Sequence, residues 1–518
     1  MIPTQRIFSA CTLWLLFIFL NNAIAPAQIT GVKQNINLHG GLLLPFSPGA
    51  GVAFDDIKVS APVTVSTSGM PEATVAVIPP KKFQRCLDGR LLFGSGTTVR
   101  SLSLTPATGK AAFSHNFFSA IQSPKDLTTP HVIYDNHLVA SGDNLFYTVE
   151  AVIWRDDITP HPSWWNDTKV NTLKGRNVPG GRAAIFVFKS NTCGETWTPY
   201  SVIDAAKLVV RNPATKKLEA GYCGVPRVDS ANKKAEAGGF DGHYVYQDFK
   251  PANFVLITTG CYTGKGADQG LLLSKAGATN TWTVLRQYDN ADTFWRIPAA
   301  MLSNQTVGIV YKKGTNLILE AARFPFTIGD FKTIATYPIS YPGISEDSVG
   351  LRASMYGYFG LVNTTIVDQA TFKTKEGFQV AAYVNDNNTA AYNLYFQTPE
   401  VSTTAPKPFS TIKAATKGNS VLQGTLVQSA VPGMSSIFYW IEQVSKGQFQ
   451  IRFQAYSQNV ALGTPKLVST TFATPSFTGD YLGGTSYRAS DGTHFFLSWS
   501  ESSTLKYVEV LVPPSLSL

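Results

Sequence analysis

The sequence predicts an all-β chain folded as a β-propeller of four-stranded antiparallel blades, six blades favoured over seven. Three observations lead there. Short segments rich in Val, Ile, Phe and Tyr, bounded by Gly, Pro, Asn or Asp, recur from about residue 72 to the end. Several alternate apolar and polar residues with period two, the mark of half-buried strands. The segments group at a loose period of roughly 65–80 residues, wider than the ~40–50 of compact propeller families.

Composition agrees. Of 518 residues, 15% are charged and 12% aromatic, which suits a packed β-rich globule and excludes a disordered chain. The formal net charge of +9 is scattered in short pairs such as Lys81-Lys82, Lys216-Lys217 and Lys233-Lys234. With no basic stripe and no nucleic-acid motif, a nucleic-acid partner is not expected. The same charge implies either a plain solvated surface or affinity for an anionic polymer such as an acidic glycan.

Taken in order, residues 1–27 read as a signal peptide. Arg6 precedes an apolar run from Ile7 to Leu20, and small residues follow in "NNAIAPAQ". Cleavage after Ala27 is preferred to cleavage after Ala25, which would leave Pro26 next to the cut. The run is too short to span a bilayer comfortably, which takes roughly 20 residues. No later segment is long and apolar enough either, so the expected location is extracellular or periplasmic. Residues 28–71 form an N-terminal arm of loops and short strands, a source for a ring-closing strand. Residues 72–518 form the propeller.

Within it, "EATVAVIP", "NLFYTVEAVIW", "RAAIFVFKS", "QTVGIVYKKG", "GFQVAAYVND", "SIFYWIEQ" and "THFFLSWSE" are strand-like. The turns Asp88-Gly89, Lys313-Gly314 and Asp491-Gly492 punctuate them. The best helix candidate is the short segment Ser201 to Val210. Pro399 to Ser420, rich in Thr, Ser, Pro and Lys, reads as a long loop between repeat units.

Cys11 lies inside the signal, leaving Cys86, Cys193, Cys223 and Cys261. An even number in an oxidising compartment suits two disulfides, in any of three connectivities, with free buried thiols as the alternative. Their spacings fit no zinc pattern, and the seven histidines show no H-E-x-x-H arrangement, so no metal and no cofactor are expected.

Two segments carry a motif. "SNTCGETW" spans Ser190 to Trp197, and "SKAGATNTW", with one residue inserted, spans Ser274 to Trp282. Both resemble the Asp-box, S-x-D-x-G-x-T-W, of sialidase-like propellers, also called BNR repeats. The resemblance implies a tight hairpin between the third and fourth strands of a blade, a Gly with positive φ in the turn, and a Trp packed between blades. Ser190, Gly194, Thr196 and Trp197 fit the first copy, with Thr192 in place of the Asp. Ser274, Gly277, Thr281 and Trp282 fit the second, with Ala276 in that place. The stretch "FTGDYLGGTSYRASDGTHFFLSWSE", Phe477 to Glu501, looks like the final blade of such proteins, which often borrows an N-terminal strand to close the ring. Asp480 there either caps its loop through an Asx-turn or points at the channel.

The resemblance also implies a chemistry. Sialidases grip a substrate carboxylate with three arginines, use a Tyr nucleophile assisted by a Glu, and an Asp as general acid/base. The first arginine sits in an Arg-Ile-Pro motif in the first blade. Here "FWRIPAAM" places Arg296-Ile297-Pro298 mid-chain, at the start of a central inner strand, where shared blade geometry is an alternative origin. Arg296, Arg352 and Arg488 form the candidate trio, with ordinary surface pairing as the alternative for each. Candidate acids are Asp156, Asp157, Asp241, Glu346, Asp347 and Asp480, near Tyr244, Tyr356 and Tyr481. Trp164 and Trp165, and Trp295 beside Arg296, suit sugar stacking, although Trp164 and Trp165 equally suit plugging a blade gap. Sequons start at Asn166, Asn304, Asn363 and Asn387 and matter only in a glycosylating host.

Three readings of function follow. The first is a secreted sialidase-like propeller that binds or hydrolyses a carbohydrate in its channel, an exo-sialidase-like glycoside hydrolase if it is an enzyme. The second is a non-catalytic adhesion or interaction propeller. The third is a propeller-type polysaccharide lyase, for which His243 and Tyr244 would supply the base. The expected partner is a glycan or glycoconjugate.

Overall fold

A computed structural model describes residues 56–67, 74–80, 86–104, 111–117, 130–141, 144–154, 181–205, 208–212, 215–220, 223, 227–228, 235–236, 239–246, 255–262, 269–275, 282–288, 297–313, 315–326, 328–339, 359–367, 371, 373–386, 389–414, 420–429, 436–445, 447–473, 482–501 and 504–514. Among them there is no α-helix; a 3-10 turn spans Ile328–Asp330, and strands dominate.

The strands form antiparallel meanders. Blade 1 runs Thr74–Ile78, Arg90–Ser95, Thr98–Ser103 and Ala111–Asn116. Blade 2 runs Pro130–Ser141, Asn144–Trp154, Gly181–Ser190 and Thr198–Asp204. Blade 3 runs Gly239–Tyr246, Val255–Tyr262, Gln269–Lys275 and Thr283–Tyr288. Blade 4 runs Ala299–Met301, Thr306–Lys313, Asn316–Arg323 and Lys332–Pro338. Blade 5 runs Phe359–Val367, Thr374–Asp386, Thr389–Gln397 and Ser410–Lys413. Blade 6 runs Ser420–Gln428, Ser436–Ser445 and Gln448–Ser457, and three two-residue strands line the last of these. These six blades are built from consecutive strands.

A seventh, composite sheet closes the ring. Gly483–Ala489, Gly492–Glu501 and Thr504–Val512 form its meander. Lys58–Val59 and Val63–Ser66 pair antiparallel with Thr504–Val512, Lys58 opposite Leu511 and Val63 opposite Tyr507. The first strands of successive sheets touch one another in order around the circuit, and the first strand of the composite sheet touches that of blade 1. That circuit is the propeller, and it counts the six consecutive blades plus the composite one. Closing the circle leaves each sheet buried on both faces, which is why so many strand residues are apolar throughout.

The core lies between blades. Trp499, Phe495, Leu497 and Val510 of the composite blade pack with Tyr439, Ile451 and Phe453 of blade 6. Tyr337 and Leu319 of blade 4 pack with Tyr395 and Phe378 of blade 5. Each such side chain, fully removed from water, contributes about 1.5–3 kcal/mol. Gly483-Gly484 has a packing reason: a Cβ on Gly484 would overlap Val427 of blade 6, and the Tyr439 hydroxyl donates to Gly483 O at 2.5 Å. Trp499 is fully buried and its indole donates to Glu501 at 3.0 Å. The aromatic strand that ends in "SWSE" is therefore a wall between blades.

Two expectations are corrected. Pro399 to Ser420 is not a loop throughout: Ser410–Lys413 pairs with Thr389–Gln397 as the fourth strand of blade 5. Ser201 to Val210 is not a helix: Thr198–Asp204 and Val209–Arg211 are strands. Ser201, Ile203 and Ala205 are buried while Val202 is 44% exposed. That two-residue period is the strand's, and it outweighs the local helix preference of Ala and Lys.

Candidate functional site

The hairpin from Ser190 to Trp197 joins the third and fourth strands of blade 2. Ser190 Oγ accepts from the amides of Gly194 at 2.9 Å and Thr192 at 3.2 Å. Thr192 Oγ1 accepts from the Thr196 amide at 2.8 Å. A hydroxyl therefore does at Thr192 what the Asp-box carboxylate is expected to do, without its charge. Cys193 and Gly194 both take positive φ, 57° and 84°. Trp197 donates to Gly194 O at 2.9 Å and meets Phe117 of the neighbouring segment edge-on at 5.5 Å. Cys193 is bonded to Cys86, and Cys223 is also in a disulfide. The hairpin tip is thus stapled across to blade 1.

Trp282 opens the fourth strand of blade 3. It packs with Ile185, Val187 and Ile203 of blade 2, and its indole donates to Ser201 Oγ at 2.9 Å. Gly277 and Thr281 of the second Asp-box-like segment, and the side chain of Ser274, lie outside the described residues.

So do most of the candidate catalytic and ligand-binding residues: Arg296, Arg352, Asp480, Trp164, Trp165 and Trp295. Ile297, next to Arg296, is buried, and its carbonyl accepts from Thr258 Oγ1 of blade 3 at 2.6 Å. Arg488 is described. It is exposed, five positions into the first strand of the composite blade, paired opposite Thr493 beside the Asp491-Gly492 turn. At about 3.3 Å per residue this is roughly 17 Å from the Gly483 end, where the chain arrives from Asp480.

The structure does contain a Tyr–Glu–Arg constellation that sequence reasoning missed. Glu320 in blade 4 accepts from Arg286 of blade 3 through two oxygens, at 3.0 and 3.2 Å, and from the Tyr311 hydroxyl at 3.1 Å. Tyr288 lies 4.2 Å from Tyr311 and under the Arg286 guanidinium at 5.1 Å. Glu320 is 4% exposed. Burial, reinforced by the Glu320 charge, pushes both tyrosines up, Tyr288 well above its ordinary value. Burial works against the Arg286 charge, but hydrogen bonds and charge from Glu320 overcome it and raise that group too. A tyrosine held in its neutral form is poorly suited to nucleophilic attack. The cluster fastens two blades together. Arg286 and Glu320 stand 34 positions apart, and no motif announces the pair.

An open, polar groove of about 460 Å³ lies where loops of blades 4 and 5 meet, lined by Asn304, Lys375, Glu376, Thr398 and Glu400 among others. Glu376 is already committed, accepting from Ser303 N at 2.6 Å and Ser303 Oγ at 2.5 Å. Hydrogen bonding from Thr398, then from its own backbone, holds the Glu400 carboxyl below the usual range. Of the sequons, Asn304 is exposed, whereas Asn363 spends its amide on Met301 O at 2.7 Å. Among the described residues no three His, Cys, Asp or Glu side chains are grouped to hold a metal ion, and no helix is long and apolar enough to cross a membrane.

No family model matches the chain, and no curated protein matches it. Solved structures do. A mutant of the NanB sialidase from Streptococcus pneumoniae aligns at 8% identity and a TM-score of 0.39, over 82% of this chain and 83% of that one. Trypanosoma rangeli sialidase in complex with sialic acid aligns at 11% identity and a TM-score of 0.38, over 87% and 59%. Aleuria aurantia lectin in complex with alpha-methyl-L-fucoside aligns at 11% identity and a TM-score of 0.35, over 87% and 98%.

Proposed function

We propose that the chain is an exported, sialidase-like propeller that holds a carbohydrate at one end of its ring. The observation that supports this is strand order. In an antiparallel meander, the connection entering the first strand and the one between the second and third strands leave from the same end of the sheet. Arg296 and Trp295 fall in the connection into blade 4, Arg352 in that into blade 5, and Asp480 in that into the composite blade. Trp164 and Trp165 fall between the second and third strands of blade 2. Arginines for an anionic group, an acid and stacking aromatics thus share one type of connection, as a glycan site requires. Arg488 ends its strand at the other end and is left out of this site. The net positive charge favours an acidic sugar, and the Cys86–Cys193 disulfide suits an oxidising compartment.

Binding without hydrolysis is the second reading. It is favoured by the mid-chain position of Arg296-Ile297-Pro298, which the resemblance to sialidases would put in the first blade. The full chain on an array of sialylated, uronic-acid, fucosylated and neutral glycans should retain an acidic glycan. Arg296→Ala should abolish retention while leaving the melting temperature unchanged. Release of 4-methylumbelliferone from its sialoside then separates enzyme from lectin. Absence of any glycan retention would remove the proposal.

A further inference from the structure

The composite blade holds a titratable group that the glycan reading does not use. The His494 side chain, 11% exposed, sits on the second strand with both ring nitrogens engaged. Nδ1 is 2.5 Å from Glu509 Oε1 on the third strand, and Nε2 is 2.9 Å from Asp491 Oδ1 in the turn. The Tyr487 ring of the first strand lies flat against it, with centroids 4.6 Å apart and planes within 8°. Lys58, on the N-terminal strand, adds its positive charge to the field at Asp491. The groups facing His494 are therefore two carboxylates, one phenol and, through Asp491, one ammonium.

Glu509 is also where the N-terminal segment grips the last strand. Ser60 N donates to Glu509 O at 2.9 Å, and Glu509 N donates to Ser60 Oγ at 2.9 Å. Lys58–Val59 pairs immediately beyond it. One residue thus joins the imidazole to the strand that closes the ring.

An imidazole with a carboxylate at each nitrogen needs two N–H donors, and only the imidazolium has two. A neutral ring can donate to one carboxylate and turns a lone pair toward the other, which repels it. We propose that His494 is a proton-dependent latch on ring closure: protonated, it ties the Asp491 turn to Glu509, and on losing its proton to solvent it releases one carboxylate and loosens the N-terminal strands from Thr504–Val512. Burial alone would favour the neutral ring, but the hydrogen bonds and charges of Glu509 and Asp491 overcome it and raise the His494 pKa above the ordinary 6.5. A raised histidine stabilises the fold fully below the unfolded value, and that stability is lost as pH climbs through the folded one. The latch is closed in mild acid and opens toward alkaline pH.

Hydrogen exchange of the full chain tests this, with rates divided by those of unstructured peptides at each pH. Between about pH 5.5 and about pH 8, protection at Val59–Ser66 should fall about tenfold, the scale of one charge-assisted hydrogen bond, while Thr306–Lys313 in blade 4 stays level. Glu509→Gln, which keeps the shape and removes one charge, should flatten that response. Carbon-13 labelling of the histidines gives the His494 midpoint directly, and it should coincide with the loss of protection. Protection at Val59–Ser66 that is level across this range, a Glu509→Gln chain with an unaltered response, or a His494 midpoint at or below the unfolded value would each overturn the latch. His494→Phe, which keeps the stack on Tyr487, should fix protection at the open level at every pH. If that variant does not fold, the Glu509→Gln chain and the wild-type titration decide the matter.

Discussion

Two inter-blade junctions do the same mechanical work with opposite chemistry. Between blades 1 and 2 the holding groups are a disulfide, the Trp197 plug and stacked Phe117 and Phe188, whose centroids are 4.4 Å apart. Between blades 3 and 4 they are the forked Arg286–Glu320 pair and the tyrosines that surround it. The first junction carries covalent and apolar contacts, indifferent to pH and salt. The second places a carboxylate at 4% exposure, where its desolvation is repaid only while every partner stays in place. A propeller therefore needs no single adhesive between blades, and the two junctions should fail under different stresses.

The largest effect should come from Glu320→Ala. It strands the Arg286 guanidinium and deprives the buried Tyr311 hydroxyl of its acceptor, and it should cost about 3–5 kcal/mol in urea unfolding. A cost under about 1 kcal/mol would show that water already reaches the pair. Next is Cys86→Ala with Cys193→Ala. The bridge closes a loop of 107 residues, and its removal should cost about 2–5 kcal/mol. Reducing agent should cost the native chain at least as much, because it also opens the disulfide of Cys223, and leave the Glu320→Ala deficit unchanged in addition. Third is alkaline pH. Folded Tyr288 and Tyr311 hold their protons above the ordinary value of 10, so unfolded tyrosines release them first. Stability must then fall as pH rises past 10, and Tyr288→Phe with Tyr311→Phe should make that slope shallower. The smallest is Thr192→Val, which deprives the Thr196 amide of its acceptor and should lower stability by about 1–2 kcal/mol, read as a shift in the urea midpoint.

The two junctions also differ in how well the sequence announces them. The Ser190–Trp197 hairpin is local: its hydroxyls, glycine and indole act within eight residues, so the string itself carries the geometry. The strands are equally visible, because burial on alternate sides writes a two-residue period. Arg286 and Glu320 meet only because two blades stand side by side, and no spacing rule reaches across that gap. Ser201–Val210 misleads because Ala and Lys favour a helix locally while the sheet decides the outcome. The count of blades is ambiguous for a related reason. Six blades are consecutive in the string, and the composite one is split between residues 58–66 and 483–512. Of the candidate site, the residue types were readable, and the mutual placement of Arg296, Arg352 and Asp480 was not, because they lie in connections of different blades that no spacing rule relates.

That split sheet constrains the history of every molecule. Ser60 and Glu509 stand 449 positions apart and yet share two hydrogen bonds. A nascent chain can complete blade after blade on the ribosome, but its circle stays open until the segment near residue 510 has been made.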